Sequence, residues 1–431
     1  MKQAIKVRFA PSPTGPLHIG GARSALFNYL FARKQNGVFV LRVEDTDTKR
    51  SEEVYYEDII KGLNWLGLNP DETYRQSERA DIYKAHADQL TTAGLTYEQD
   101  GGLYLRIPTD DQKIVVHDLI RGDVEFNSKD FDDIVLLKKD GNATFHFANV
   151  VDDITMGITH VIRGEDHLSN TPKHIMIYQA LGAEVPTFAH MPLILNEDRS
   201  KMSKRSGDTS LTEYINKGYI QPALINFLVQ LGWSDKDGQE IFNLDELVDK
   251  FALERVQKGG AVFNLKHLNY LNHHYLSRLP FTEYQELAHP FVKQFEGNKT
   301  LLESALKLTQ DRAQYFDQLP ELISFFFDLP DYEASMLVFK KSSPDQTQKG
   351  LQAGYSVLKE INHQDWNQDK LQQILDHTLD AEALNPGDLF WPIRVALSGL
   401  MGSPSPVEIL EALGKEESLS RLELALAKIG N

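Results

Sequence analysis

The chain has 431 residues, with 45 Lys+Arg against 62 Asp+Glu and a formal charge of −17; at roughly 100–200 residues per domain this length predicts two to four domains. A composition of 41% apolar and 25% charged residues with zero Cys excludes global disorder, a small stapled scaffold, disulfides, thiolate zinc sites, iron–sulfur clusters and Cys nucleophiles, and suits a reducing cytoplasm. The opening MKQAIKVRFAPSPTG has no apolar leader segment, no stretch approaches a membrane span, and the acidic balance leaves nucleic-acid contacts to local basic patches.

Ile5–Ala10 (IKVRFA) reads as a short strand, followed by a Pro/Gly loop and an amphipathic helix from about Gly20 to Gln35 that Gly37 ends. Val38–Val43 (VFVLRV) is a run suited to a buried parallel strand. Glu52–Leu66 reads as a second helix with Ile59, Ile60 and Leu63 on one face. This β-α-β-α opening predicts a doubly wound α/β sheet. Residues 76–145 break the rhythm, with a helix around Ile82–Ala93 and then short β-like pieces (LYLRI, KIVVHDLI, DDIVLL). Alternation resumes with a strand at Thr159–Ile162 and a helix from Thr171 to Leu181, with Pro172 in its first turn and Gly182 after it. A strand at Met191–Leu195 follows. From about residue 208 the pattern is nearly all helical, and Leu279-Pro280 marks a further boundary. Residues 281–431 carry 13 Lys+Arg and 23 Asp+Glu, a net of −10. The expected segments are therefore 1–75 with 146–195, an insertion at 76–145, then 196–280 and 281–431.

Two strings carry chemistry. RFAPSPTGPLHIGG, residues 8–21, runs from a strand through a Pro/Gly loop to a helix with His18 at its start. Helix N-termini attract phosphate, His18 adds a donor, and Gly20 and Gly21 let a flat base pack on backbone. A lone His at a helix start is ordinarily a surface residue; the whole string is far more specific. KMSKRSG, residues 201–207, is a loop with three cations suited to closing over a triphosphate; alone, such a run is equally a solvated basic loop. Arg8, Glu44 and Arg163 each sit at or just past the C-terminal end of a predicted strand, the edge where open α/β sheets bind ligands. Two guanidinium groups there suit a carboxylate-bearing substrate and one acid suits an α-ammonium group. The alternative makes Arg8 and Arg163 partners of nearby acids such as Asp45 or Asp166.

HIGG near the start and KMSKR about 180 residues later, on an interrupted α/β domain, resemble the two-part signature of class I aminoacyl-tRNA synthetases. The strings RFAPSPTGPLHIGGARSALFNYLFAR, LRVEDTD, YRQSER, ANVVDD, GITHVIRGEDHLSNTP, HMPLILN, GYIQPALINFLVQLGW and ERVQKGGAVFNLKHLNYLN resemble the glutamyl-tRNA synthetase family, over nearly the whole chain. The resemblance implies a Rossmann-type catalytic domain (1–75 and 146–195), a shortened acceptor-end insertion (76–145), a KMSKR loop and tRNA stem-contact region (196–280) and an all-α anticodon-binding region (281–431).

It further implies L-glutamate, ATP with Mg²⁺, and tRNA(Glu) as reactants, a cytoplasmic monomer, and no membrane contact. Whether tRNA(Gln) is also charged stays open. Arg8, Ala10, Ser12, Glu44, Phe145, Asn149 and Arg163 would form the glutamate site, with Glu44 on the amino group and Arg163 on the side-chain carboxylate. Arg50 would add a second cation. Phe145 stands where the family usually has Tyr, and position 167, where relatives vary, is His. His18, Gly20, Asp166, Leu193, Ile194, Lys201 and Lys204 would meet ATP, with Leu193 and Ile194 using backbone groups and His18 and Lys204 acting on the phosphates. Arg394, in WPIRVALSG, and more weakly Arg312 would contact tRNA; the alternative for Arg394 is a surface salt bridge. Many relatives carry a longer segment with a Cys/His zinc cluster where Tyr97–Leu103 stands here, so no zinc and no resident metal ligands are expected. Three rivals are a truncated queuosine-glutamylating paralogue, a non-catalytic RNA-binding paralogue and a glutamine-specific synthetase; the helical 281–431 region opposes the first and third, and the intact motif residues oppose the second.

Overall fold

β-Branched and aromatic runs punctuated by Gly and Pro build a parallel sheet at the centre of the first unit. The computed structural model describes residues 4–46, 51–107, 110–202 and 210–430. In it β1 (Lys6–Phe9) leads to α1 (Ile19–Lys34), β2 (Val38–Val43), α2 (Glu53–Trp65) and β3 (Glu72–Arg75). These strands are parallel, with Arg8 opposite Val40 and Val40 opposite Glu72. Next come α3 (Ala80–Thr92), β4 (Thr96–Gln99), β5 (Gly102–Leu105), β6 (Lys113–Asp118), β7 (Gly122–Asn127) and β8 (Ile134–Leu137). β4, β5 and β8 make a small antiparallel sheet.

α4 (Phe145–Met156) opens at Thr144, whose hydroxyl accepts the Phe147 N–H, and closes at Gly157 with φ 70°. β9 (His160–Gly164), α5 (Thr171–Ala180) and β10 (Thr187–Met191) follow. The strand expected at 191–195 is thus displaced: Pro192, lacking an N–H, ends β10, and only β11 (Ile194–Leu195) continues beyond it. The main sheet has the order β3-β2-β1-β9-β10-β6-β7, and only β7 is antiparallel to its neighbour. The 76–145 segment therefore contributes two strands to this sheet as well as forming its own.

α6 (Leu211–Asn216), α7 (Gln221–Gln230), α8 (Leu244–Lys250), β12 (Ala261–Val262) and α9 (Leu265–Leu276) complete the first unit and lead out of it, with β11 and β12 paired in parallel. α1 is not the amphipathic helix expected. Ile19, Ala22, Leu26, Phe27 and Leu30 are fully buried, because the sheet covers one side and α7 and α8 the other.

The compact units are residues 1–271 and 272–431. The described residues of the second beyond α9 form α10 (Phe281–Val292), α11 (Lys299–Thr309), α12 (Leu319–Phe327), α13 (Pro344–Glu360), α14 (Gln368–Ala381), α15 (Pro386–Ser398), α16 (Pro406–Leu413) and α17 (Lys415–Ile429), with no strand among them. α13, α15 and α17 pack together, and the buried Arg421 guanidinium of α17 donates to the carbonyls of Phe325, Phe326 and Leu397, occupying helix-end acceptors.

Candidate functional site

The strand order reverses between β1 and β9, and at such a switch point the crevice outside the carboxyl ends of the strands receives ligands. A cleft of about 570 Å³ lies there. Arg8, Ala10, Ser12, His18, Gly20, Glu44, Phe145, Asn149, Arg163, Asp166, Leu193, Ile194 and Lys201 all line it. β1 and its loop, the start of α1, the end of β2, α4, β9 and the 192–202 segment bring them together. Lys204 and Arg50 lie outside the described residues.

At the sheet end of the cleft three basic groups differ in their partners. Arg8 is buried and donates through Nε to Asp153 at 3.1 Å. Its partner is neither Asp45, which is bonded to Arg75 and the Ser77 N–H, nor Asp166. Arg42, fully buried, donates to the same Asp153 and to Glu44. Burial pushes the Asp153 carboxyl up, but Arg42 and Arg8 outweigh it and hold the group below its ordinary range. Arg163 differs. Its Nε donates to His190 Nε2 at 3.1 Å, and one terminal nitrogen to Thr171 Oγ1 at 2.9 Å and the His167 carbonyl at 3.3 Å. The other terminal nitrogen lies 3.4 Å from His174 Nδ1. No described carboxylate is paired with it, and burial together with the charge of Arg8 pulls the guanidinium below its ordinary value.

Glu44 receives Asn149 Nδ2 at 2.8 Å and Arg42 at 3.2 Å, both on Oε1. Burial raises its carboxyl above the usual range despite Arg42 and Arg8. The buried Oδ1 of Asn149 has no partner. Glu44 and Asn149 thus offer acceptors to the cleft where Arg163 offers donors. Phe145 packs among His146, His167 and His174, with ring centroids 5.3–5.8 Å away. Burial, then neighbouring cations, hold His146 and His167 down to about 4, so this wall is neutral at physiological pH.

At the other end His18 caps α1, its Nδ1 accepting the Gly21 N–H at 3.1 Å. A Cβ on Gly20 would sit 3.1 Å from the His18 ring and 3.9 Å from Ile194 Cδ1, so the two walls converge at this glycine. The expectation for Leu193 changes. Its N–H is committed to Glu165 at 2.8 Å and its carbonyl to Ala261 at 2.9 Å. The Ile194 carbonyl takes the Met202 N–H at 3.1 Å, seating the start of the basic loop on β11. Arg23, unremarked in the sequence, is buried beneath this wall and donates to the carbonyls of Pro192 (2.6 Å) and Leu231 (2.8 Å).

The catalytic-domain model of the class I tRNA synthetases (E and Q) matches residues 4–102 and 98–270, and the anticodon binding domain model matches residues 283–426. The chain is 41% identical to a glutamate–tRNA ligase of Akkermansia muciniphila, over 97% of this chain and 98% of that one. It is 38% identical to glutamate–tRNA ligase 2 of Thermoanaerobacter pseudethanolicus over 98% of each. The chain belongs to the glutamate–tRNA ligases of class I. A crystal structure of a glutamate tRNA ligase from Elizabethkingia meningosepticum, in complex with its amino acid, superposes with a TM-score of 0.88 at 30% identity, covering 99% of this chain and all of that one.

As a glutamate–tRNA ligase the chain activates glutamate and joins it to tRNA. The truncated paralogue and the glutamine-specific synthetase fall away with the helical second unit and its match to the anticodon domain. In that unit Arg394 makes no ion pair among the described residues, and its Nε is buried without a partner. Burial, then the charge of Arg312, holds its guanidinium below the ordinary value. Sequence reading missed Arg42, Asp153, Asp118, His190 and His174. ANVVDD and HMPLILN stand out as strings, but nothing in them says which polar residues face inward.

Proposed function

We propose that the cleft divides into an amino-acid end and a nucleotide end. Arg163 takes the glutamate side-chain carboxylate, Glu44 and Asn149 take the α-ammonium group, and Arg8 lies against the shared part of the amino acid with Ala10, Ser12 and Phe145. Supporting this is one observation above the others: Arg163 is a buried cation bonded to neutral acceptors alone. His18, Gly20, Asp166, Ile194, Lys201 and Lys204 take ATP, with Leu193 contributing to the wall. The α-carboxylate attacks the α-phosphate in line, the bond to the β-phosphate oxygen breaks, and pyrophosphate leaves with that electron pair. The terminal adenosine hydroxyl of the tRNA then takes the acyl group and AMP departs. No side chain serves as a nucleophile; positioning and charge stabilisation supply the rate. Among the described residues no three His, Asp or Glu side chains are grouped to hold a metal ion; Mg²⁺ would enter on the phosphates of ATP, where it would help neutralise the departing pyrophosphate. Arg312 and Arg394 would meet tRNA, and the Cys-free chain would work as a monomer in the cytoplasm.

The test is tRNA-dependent pyrophosphate exchange with glutamate and glutamine. Glutamine would leave the guanidinium unpaired, at about 3–5 kcal/mol, or a few-hundred-fold and more. Arg163→Gln is expected to lose glutamate activation and narrow the preference over glutamine. Arg8→Gln should weaken both and also destabilise the fold, since it strips Asp153 of a partner. Wild-type kinetics and selectivity in Arg163→Gln would place carboxylate reading elsewhere, with Arg50 next in line. In the same assay Lys204→Ala should fall by ~10²–10³ in rate with unchanged thermal unfolding; near-normal charging removes Lys204 from the mechanism.

A further inference from the structure

Asp118 and His190 lie behind Arg163, and neither lines the cleft. Asp118 ends β6, in the segment between the two halves of the chain's parallel sheet, and His190 is on β10 opposite Arg163 of β9. His190 is fully buried and Asp118 nearly so. The His190 Nδ1 lies 2.6 Å from Asp118 Oδ2, and its Nε2 lies 3.1 Å from Arg163 Nε and 3.2 Å from the Thr171 hydroxyl, which can donate as well as accept. An ionised carboxylate only accepts and a guanidinium only donates, so the two partners fix one tautomer: Nδ1 carries the hydrogen and Nε2 the lone pair. Asp118 is itself immobilised. Oδ1 accepts the N–H groups of Ile120 (2.9 Å) and Arg121 (2.8 Å), and Oδ2 accepts that of His190 (3.0 Å). Phe188 stacks on the imidazole at 5.9 Å and also lies 5.7 Å from the guanidinium carbon, fixing both planes.

The interposed ring passes on a hydrogen bond but not a charge. A carboxylate touching Arg163 directly would hold it equally well, yet would neutralise it and repel the substrate's carboxylate. With His190 between them, Asp118 orients the guanidinium from one imidazole away and the positive charge stays available to the cleft. We propose that Asp118 and His190 are positioning residues for side-chain recognition: Asp118 locks the His190 tautomer, and His190 Nε2 holds the Arg163 plane for an incoming carboxylate. This rests on the assignment of the glutamate side chain to Arg163.

Asp118→Asn tests it at near-constant volume. The Ile120 and Arg121 N–H groups keep the amide oxygen on their side, which turns the NH₂ toward His190 Nδ1. The ring must then accept at Nδ1 and carry its hydrogen on Nε2, so a donor faces the Arg163 donor. In pyrophosphate exchange the KM for glutamate should rise about tenfold or more while the KM for ATP stays within about twofold. His190→Gln, whose carbonyl can still accept from Arg163, should keep more glutamate affinity than His190→Phe; that pair carries the comparison if Asp118→Asn fails to fold. Histidine ¹⁵N shifts, with His190→Gln assigning the resonance, should show Nε2 unprotonated in the parent chain and protonated in Asp118→Asn. A protonated Nε2 in the parent, equal rises in both KM values, an unchanged glutamate KM in Asp118→Asn, or Gln no better than Phe would overturn the proposal. Arg163→Gln separates the two assignments. If it loses glutamate while Asp118→Asn does not, the positioning role falls and the carboxylate assignment stands. If Arg163→Gln keeps parental kinetics, both fall.

Discussion

Glu44 is a carboxylate that its surroundings favour half-heartedly. Burial raises it, Arg42 and Arg8 pull it down, and burial prevails. An α-ammonium group binds only the anionic form, so protonation removes its partner. Because the folded-state value is raised, glutamate affinity should be lost as pH falls through a titration lying above the ordinary carboxylate range. The KM for glutamate measured between about pH 5 and pH 7 should rise toward acid while that for ATP stays flatter; Glu44→Gln should have a high KM with this slope removed. A slope that persists in Glu44→Gln would assign the titration to another group. His146 and His167, held at about 4, do not contribute over that range. At this scale the sequence discloses residues that sit in strings, Arg8, Glu44 and Arg163 among them. It does not disclose the Asp153 that joins Arg8 to Arg42, nor the neutral shell of Arg163. Those depend on which faces meet across 145 positions of chain, and no periodicity encodes that.

Elements were legible where hydrophobic spacing was undisturbed. β1, α1, β2 and α2 fall close to their expected spans. α4 was not seen as a helix because Asn149, Asp152 and Asp153 face the interior, where apolar residues would have marked the 3.6-residue period. β3 was missed for a similar reason: ETYR is a short edge strand with no fully buried residue. In the second unit the α13–α15 contact is set by glycine. A Cβ on Gly350 would stand 2.0 Å from the Asp388 carbonyl oxygen, and backbone cannot yield as a flexible side chain does. Gly350→Ala would gain up to ~1 kcal/mol in helix propensity but lose about 1–3 kcal/mol or more to overpacking. The clash wins, so thermal unfolding should move to lower temperature. Gly297→Ala, where nothing lies within 4 Å, is the control; equal melting of the two variants would show that the helices separate without penalty.

The whole molecule carries a charge of −17, and the field it presents to RNA is on balance repulsive. Binding of tRNA must then depend on few, placed cations, and Arg394 and Arg312 are the proposed ones. Arg394→Ala should raise the KM for tRNA about tenfold and leave those for glutamate and ATP near parental values. The salt dependence of tRNA binding should be shallow for an RNA ligand of that size. An unchanged tRNA KM would return Arg394 to a packing role. The central seam of the sheet has a further consequence, for synthesis. The Lys6 N–H donates to Thr159 Oγ1, 153 positions along the chain, where β1 meets β9. β2 is available to β1 almost at once, but at roughly 5–20 residues per second β9 leaves the ribosome about 8–30 seconds later. Throughout that interval β1, an interior strand of the finished sheet, is an open edge, able to pair with any strand that reaches it. The ligand cleft therefore cannot begin to form until β9 arrives, with β10 still to follow it, and the nascent chain is open to mispairing at the seam where the finished protein does its chemistry.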